Sequence, residues 1–166
     1  MKRAALLLAG WSALGLLNLA SAGEPQTLPT VEACFIGQNG ATGHPVVLET
    51  AKTPSERSTG LMWRQELAEN TGMLFSYSRE RSPDTGFWMY NTRIPLDIAF
   101  LDEQGVIVSI RHMEPCEASN PRQCRSYPAG RFFWHAVEMN AGYFEQHDLT
   151  PGDRLEWPVT RSQCGS

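Results

Sequence analysis

The feature that most constrains the fold is a pair of apolar runs joined by a short polar turn. The first run is Leu96–Leu101, the turn is Asp102–Gly105 and the second run is Val106–Met113. Short runs rich in β-branched and aromatic residues, joined by a loop that ends in glycine, predict a β-hairpin. The chain is therefore expected to be built around antiparallel β structure.

Further strand patterns surround this hairpin, and helix patterns are few. We predict strands at Val31–Ile36, Pro45–Ala51, Gly72–Phe75, Arg131–Met139 and Arg154–Val159. The capping box Thr53–Glu56 predicts a helix over Pro54–Arg64, and Asn140 is expected to cap a short helix over Ala141–His147. This pattern predicts an α+β domain, mainly antiparallel β: a small closed or half-closed β-barrel-like domain with one or two short helices.

The first 22 residues have the pattern of a secretory signal peptide. Lys2 and Arg3 precede the apolar run Ala4–Leu19, and Ala20–Ala22 fits the small-x-small cleavage rule. The run is shorter than the roughly 20 apolar residues of a spanning helix. We expect a periplasmic or secreted protein with no stable membrane insertion after cleavage. Its predicted parts are a signal peptide (1–22), an N-terminal extension (23–45) with a disordered-looking start, one domain (46–159) and a C-terminal tail (160–166).

Charge and motifs exclude several classes of function. The chain has 14 Lys and Arg residues against 18 Asp and Glu residues, and removal of Lys2 and Arg3 makes it more acidic still. An acidic domain repels phosphate-rich partners, so no nucleic-acid partner is expected. The chain contains no phosphate-binding loop, G-x-S-x-G elbow or C-x-x-C pair. We expect no cofactor, and an enzyme is the less favoured interpretation.

Four cysteines follow the predicted cleavage site. An even number in an oxidising compartment is most simply interpreted as two disulfides, for which three pairings exist. We favour Cys116 with Cys124, which closes a short loop, and Cys34 with Cys164, which joins the two ends of the domain.

A succession of motifs carries a family resemblance. G-L-M-W-R (Gly60–Arg64), G-M-L-F (Gly72–Phe75), F-W-M-Y-N-T-R-I-P-L-D-I-A-F-L-D (Phe87–Asp102), V-E-M-N-A-G (Val137–Gly142) and P-G-D (Pro151–Asp153) occur in this order. With them the chain resembles the bacterial and archaeal family called domain of unknown function 192, over about Val46–Val159. The resemblance implies a small β-rich secreted or periplasmic domain and no particular activity. Cys34 and Cys164 lie outside the shared motifs.

Aromatic and polar side chains are concentrated within the longest of these motifs. Large apolar surfaces beside polar tips are typical of a pocket for a sugar or another small polar ligand. Trp88, Tyr90 and Trp134 are predicted to form a stacking wall. The candidate ligand-binding residues are Arg64, Trp88, Tyr90, Asn91, Thr92, Asp97, Trp134 and Glu138.

The two carboxylates also have structural interpretations. Asp97 could cap the Asn91–Thr92 turn by accepting its backbone N–H groups, and Glu138 could pair with an arginine such as Arg64. A carboxyl in an apolar strand that finds no such partner is expected to have a raised pKa.

The sequence is also compatible with three other functions. Asp97 and Glu138 could be the carboxylate pair of a hydrolase, which needs them about 5–9.5 Å apart across a cleft. Soft thioethers and an imidazole could bind periplasmic copper, with Met62, Met73, Met89 and His112 as ligands. A protein partner is the third alternative, and it would require an exposed apolar patch. His44 and His147 are predicted to be solvated loop residues.

Overall fold

A computed structural model describes residues 23–38, 43–160 and 162–164, so the predicted signal peptide lies outside the described residues. Its main element is a seven-stranded sheet in the order β6-β5-β8-β3-β2-β1-β9, and β4 and β7 form a separate two-stranded sheet. The strands are β1 Thr30–Ile36, β2 His44–Ala51, β3 Thr71–Arg81, β4 Gly86–Trp88, β5 Leu96–Leu101, β6 Ile107–Met113, β7 Ser126–Pro128, β8 Phe133–Asn140 and β9 Arg154–Glu156.

The large sheet curls into a half-barrel. Its pairs are antiparallel except β2 with β3. Backbone hydrogen bonds bring the edge strands together at one end: Ile107 N–H donates to the Asp153 carbonyl (2.7 Å), and Leu155 N–H donates to that of Gly105 (2.9 Å). The predicted fold class and hairpin are both confirmed. The hairpin pairs Leu96 with Met113 at one end and Leu101 with Ile107 at the other, with a bulge between Phe100 and Leu101.

Side chains alternate between the two faces of this sheet and build two cores. One core contains Leu48, Leu74 and Val137, and we call it the first core. The other, the second core, contains Met73 and Ile98 and also Phe87 and Met89 from the segment between β3 and β5. Every residue of β5 is buried because this strand lies between the two cores.

Both helices are shorter than predicted. Helix α1 spans Pro54–Thr59 and has the predicted capping box, but it ends at Gly60, whose φ of 50° is incompatible with continuing the helix to Arg64. Helix α2 spans Tyr143–Gln146 and begins after Gly142, with no side-chain cap. Asn140 is therefore not its cap, because its side-chain amide donates to the Leu67 carbonyl instead (3.0 Å).

Some strand ends also differ from the prediction. Strand β3 continues to Arg81 rather than ending at Phe75, because β8 supplies an antiparallel partner through a bulge. Strand β9 ends at Glu156, two residues before Pro158, which has no N–H to donate to a ladder. Strand β8 begins at Phe133 rather than Arg131, and Phe132 is 59% exposed.

Both predicted disulfides are present in the structure. Cys34–Cys164 joins β1 to the C-terminal segment, and Cys116–Cys124 closes the loop that follows β6. Disulfides persist in oxidising compartments, and an extracellular environment is consistent with both bonds. Within the described ranges, no helix has the length and apolar character needed to cross a membrane.

Candidate functional site

Two turns meet at the open side of the second core. The backbone N–H of Trp63, in the turn after α1, donates to the carbonyl of Asn91, in the turn before β5 (2.8 Å). Both residues have left-handed backbone conformations, with φ of 70° for Trp63 and 57° for Asn91. Asparagine tolerates this conformation, but a bulky residue such as tryptophan rarely adopts it. Strain of this kind is concentrated at functional sites.

A cleft of about 290 Å³ opens at this junction. Its size lies at the lower limit of the roughly 300–1,000 Å³ of small-molecule sites. The lining residues come from three segments of the chain: Trp63, Asn91, Thr92, Arg93, Cys116, Glu117 and Ala118. We call this the Trp63–Asn91 cleft.

Four polar side chains line the cleft. Within the described part of the chain, no hydrogen bond or ion pair engages the side chains of Asn91, Thr92, Arg93 and Glu117. The Arg93 guanidinium lies 5.6 Å from the centre of the Trp63 ring, within cation–π range. Thr92 is buried even though its hydroxyl makes no hydrogen bond with a described residue. The cleft therefore presents an amide, a hydroxyl, a cation and a carboxylate beside one aromatic ring.

The floor of the cleft is held by backbone bonds. The Met89 carbonyl accepts from both Thr92 N–H (3.0 Å) and Cys116 N–H (3.3 Å), and Tyr90 pairs with Cys116 in an isolated β-bridge. The disulfide from Cys116 to Cys124 fixes the same segment. These bonds hold the 91–93 and 116–118 walls of the cleft relative to one another before any ligand arrives.

The N-terminal segment 23–29 supports the third wall. The side-chain amide of Gln26 donates to the carbonyls of Glu56 and Gly60 (both 2.9 Å), and Arg64 donates to the carbonyl of Gln26 (2.8 Å). Gly23 packs directly on the Trp63 indole, too closely to admit a side chain. The segment has no regular secondary structure but is tied down, so the prediction of a disordered-looking start is wrong.

Only part of the predicted ligand-binding set lies at the cleft. Asn91 and Thr92 line it, whereas Arg64 is bound to Glu49 (2.5 Å). Trp88 is 41% exposed and packs against Tyr90, with ring centroids 6.0 Å apart. Among the described residues Trp134 makes no ring contact with either, so the structure does not assemble the predicted stacking wall of three rings.

Asp97 is buried and has partners other than those predicted. Its carboxylate accepts from His112 Nδ1 (2.8 Å) and from the backbone N–H of Gly142 at the start of α2 (2.7 Å). It does not cap the Asn91–Thr92 turn. On the other side of the imidazole, His112 Nε2 contacts Glu114 (2.9 Å). The Asp97 hydrogen bond, followed by the Glu114 hydrogen bond, raises the pKa of His112.

Glu138 is buried among apolar side chains and has no arginine partner, contrary to the prediction. Its neighbours across the sheet are Met73 on β3 and Ile98 on β5. No hydrogen bond or ion pair of this carboxyl is found in the described ranges. Burial raises its pKa to about 8, because the charged form is poorly solvated there.

The register of β5 and β8 excludes the proposed carboxylate pair. Asp97 pairs with Met139 and Ile98 pairs with Glu138, so the two carboxyls lie on opposite faces of the sheet. They cannot flank one scissile bond, so they are not the carboxylate pair of a hydrolase.

The predicted copper ligands are also separated. Met73 and Met89 are buried in the second core, whereas His112 pairs with Asp97 and lies on the other face. The described ranges contain no group of three or more His, Cys, Asp or Glu residues that could hold a metal ion. Met62, Met73, Met89 and His112 therefore do not form one site.

Sequence reasoning did not assign Trp63, Arg93 or Glu117 to a binding site. Trp63 and Arg93 stand inside the motifs that carry the family resemblance, which was the available signal. Glu117 follows a cysteine in a loop, and no motif in the sequence marked it as a binding residue.

A second groove of about 480 Å³ near Glu103 and Trp157 is wider and more open. Its polar side chains Gln104, Glu156 and Gln163 already make hydrogen bonds within the protein, and we therefore favour the Trp63–Asn91 cleft.

Comparisons with known proteins agree with the fold and supply no activity. Residues 36–157 match the DUF192 family, described as "Uncharacterized ACR". A crystal structure of a proposed transcription regulator from Sinorhizobium meliloti 1021 is 32% identical, with a TM-score of 0.69 over 81% of this chain and 97% of that one. A protein of unknown function from Novosphingobium aromaticivorans DSM 12444 is 31% identical, with a TM-score of 0.62 over 82% and 94%. No curated protein matches the chain.

Proposed function

Because this chain belongs to the DUF192 family, which carries no assigned activity, we propose its function from the cleft: it is a secreted binding module for a small polar ligand. The observation that supports this most is a set of four polar side chains around Trp63 that make no hydrogen bond or ion pair with any described residue: Asn91, Thr92, Arg93 and Glu117. Polar groups in a concave site that make no bond within the protein are available to a ligand.

The lining chemistry favours a ligand with several hydroxyl or amide groups. The Asn91 amide and Thr92 hydroxyl can both donate and accept, Arg93 donates several bonds and Glu117 accepts. The half-buried Trp63 ring, against which Gly23 and Arg93 also lie, adds an apolar surface beside them. Given the volume of about 290 Å³, one sugar ring or a molecule of similar size fits best.

Secretion is the remaining part of the proposal. It is supported by the signal-peptide pattern of residues 1–22 and by the two disulfides. The acidic composition makes a nucleic-acid partner unfavourable even though one structural relative is described as a regulator. The separation of Asp97 and Glu138 removes the carboxylate pair on which the alternative hydrolase was based.

The proposal is tested by a thermal-shift screen of the oxidised protein from Gly23 onward against single amino sugars, neutral sugars and free amino acids. A ligand at a hundred times its dissociation constant adds about 2.7 kcal/mol to the free energy of unfolding, which is several degrees for a domain of this size. The shift should disappear in Arg93→Ala and Thr92→Val and persist in Trp88→Ala. A shift that survives both cleft substitutions would place the ligand elsewhere.

A further inference from the structure

Two histidines that are far apart in sequence meet on the first-core side of the sheet. His44 is the first residue of β2 and pairs with Phe35 on β1. The Phe35 ring contacts Tyr143 and Phe144 of α2, with ring centroids 5.8 and 5.6 Å apart, so α2 packs against β1. This packing brings His147, at the C-terminal end of α2, against His44.

The two imidazoles are in contact and are half-buried. Their ring centroids are 4.5 Å apart, with an angle of 51° between the planes. This arrangement contradicts the expectation that both would be solvated loop residues. In the described ranges, neither imidazole makes a hydrogen bond through a ring nitrogen.

Tyr143 adds an unpartnered oxygen to this cluster. Its ring centroid is 4.4 Å from that of His147, and its buried hydroxyl has no hydrogen bond. Buried hydroxyls are usually satisfied by a protein group, water or a ligand.

We infer that His44 and His147 form a binding site for an exchangeable divalent transition-metal ion, with Cu²⁺ the best fit. An ion about 2.0 Å from one nitrogen of each ring requires the two imidazoles to be neighbours, and their ring centroids are 4.5 Å apart. Imidazole suits copper, and Cu²⁺ binds most strongly among the divalent first-row ions.

The site would be labile rather than structural. Because the described part of the chain holds no cluster of three or more His, Cys, Asp or Glu residues, the protein supplies two imidazoles. Water takes the remaining positions. The site differs from the set predicted from sequence, since it uses neither His112 nor a methionine, and it does not depend on the Trp63–Asn91 cleft.

The test is a titration of the untagged, oxidised protein from Gly23 onward with copper(II) sulfate, followed by calorimetry and electron paramagnetic resonance. We expect one Cu²⁺ per chain with at least two nitrogen ligands. His44→Gln and His147→Asn should each weaken binding at least tenfold, and the control His112→Gln should change it less than twofold. Absence of copper binding, or loss of it in the control alone, would overturn the inference.

A second measurement covers the case in which either substitution unfolds the domain. Paramagnetic Cu²⁺ broadens the NMR signals of nearby nuclei in the wild-type protein. Substoichiometric copper should broaden the imidazole signals of His44 and His147 before those of His112 and His135. Broadening that begins at His112 would assign the ion to the Asp97–Glu114 side and contradict the inference.

Discussion

The backbone N–H of Trp63 donates a 2.8 Å hydrogen bond to the carbonyl of Asn91, and both residues have positive φ. This bond joins the turn after α1 to the turn before β5 and sets one edge of the cleft. The strain of the left-handed conformation is of order 1–2 kcal/mol for a residue with a side chain. The contacts around Trp63 and Asn91 offset this strain.

The first prediction concerns the backbone of Asn91. Asn91→Ala should lower the free energy of unfolding by about 1 kcal/mol, roughly 4 °C in the melting temperature, because alanine is less tolerant of positive φ than asparagine. Asn91→Gly should melt within about 1 °C of wild type, since glycine adopts this conformation freely. Thermal unfolding by circular dichroism measures both. Equal destabilisation in the two variants would show that the side chain, not the backbone, matters for stability.

The second prediction concerns the N-terminal segment. Gln26→Ala removes two hydrogen bonds to backbone carbonyls of residues 56 and 60, and a loss of about 1–3 kcal/mol is expected. Because Gly23 packs on Trp63, the fluorescence of the indole should also shift toward that of a solvated ring. Gln104→Ala, in the exposed turn between β5 and β6, is the matched control and should change neither quantity.

The third prediction concerns Glu138 and pH. Its pKa is raised from 4.5 to about 8 in the folded protein, so the folded state binds a proton that the unfolded state releases. The stabilisation from this proton is fully present below about pH 4.5 and is lost as the pH rises to about 8. Glu138→Gln should remove this fall in stability, whereas the exposed Glu145→Gln should retain it. Parallel denaturant titrations at pH 4.5, 6 and 8 would contradict the account if wild type and Glu138→Gln had the same pH slope.

The fourth prediction concerns His112. The Asp97 and Glu114 hydrogen bonds raise its pKa above the ordinary 6.5, so the stabilisation is complete below pH 6.5 and is lost as the pH rises through the folded-state pKa. NMR titration of the imidazole should find a pKa above 6.5. Asp97→Asn should lower this pKa more than Glu114→Gln does, because Asp97 makes the larger contribution. The reverse order would show that the exposed Glu114 dominates.

The strands were largely predictable, whereas the cleft was not. The alternation of apolar residues in Leu96–Leu101 and the turn after it define a hairpin locally, and a capping box defines the start of α1. The cleft joins residues 63, 91–93 and 116–118, which only the tertiary fold brings together. The positive φ of Trp63 carries no local signal, because no glycine marks it.

The buried carboxylates show the same division between local pattern and tertiary contact. Asp97 and Glu138 stand out in the sequence because a carboxyl group in an apolar strand needs a polar partner. Which partner each finds depends on the sheet order and on where α2 begins. Asp97 meets Gly142, 45 residues away, while Glu138 faces Met73 and Ile98 across neighbouring strands.

The most direct test of the central claim is a two-dimensional NMR titration of the oxidised, ¹⁵N-labelled protein with N-acetylglucosamine and the other small sugars of the screen. The account predicts that a binding sugar shifts the Trp63 indole signal and the amides of residues 91–93 and 116–118, and that these shifts vanish in Arg93→Ala. Shifts confined to Trp88, Trp134 or the Asp97 region, or no shifts with any of the sugars, would contradict it.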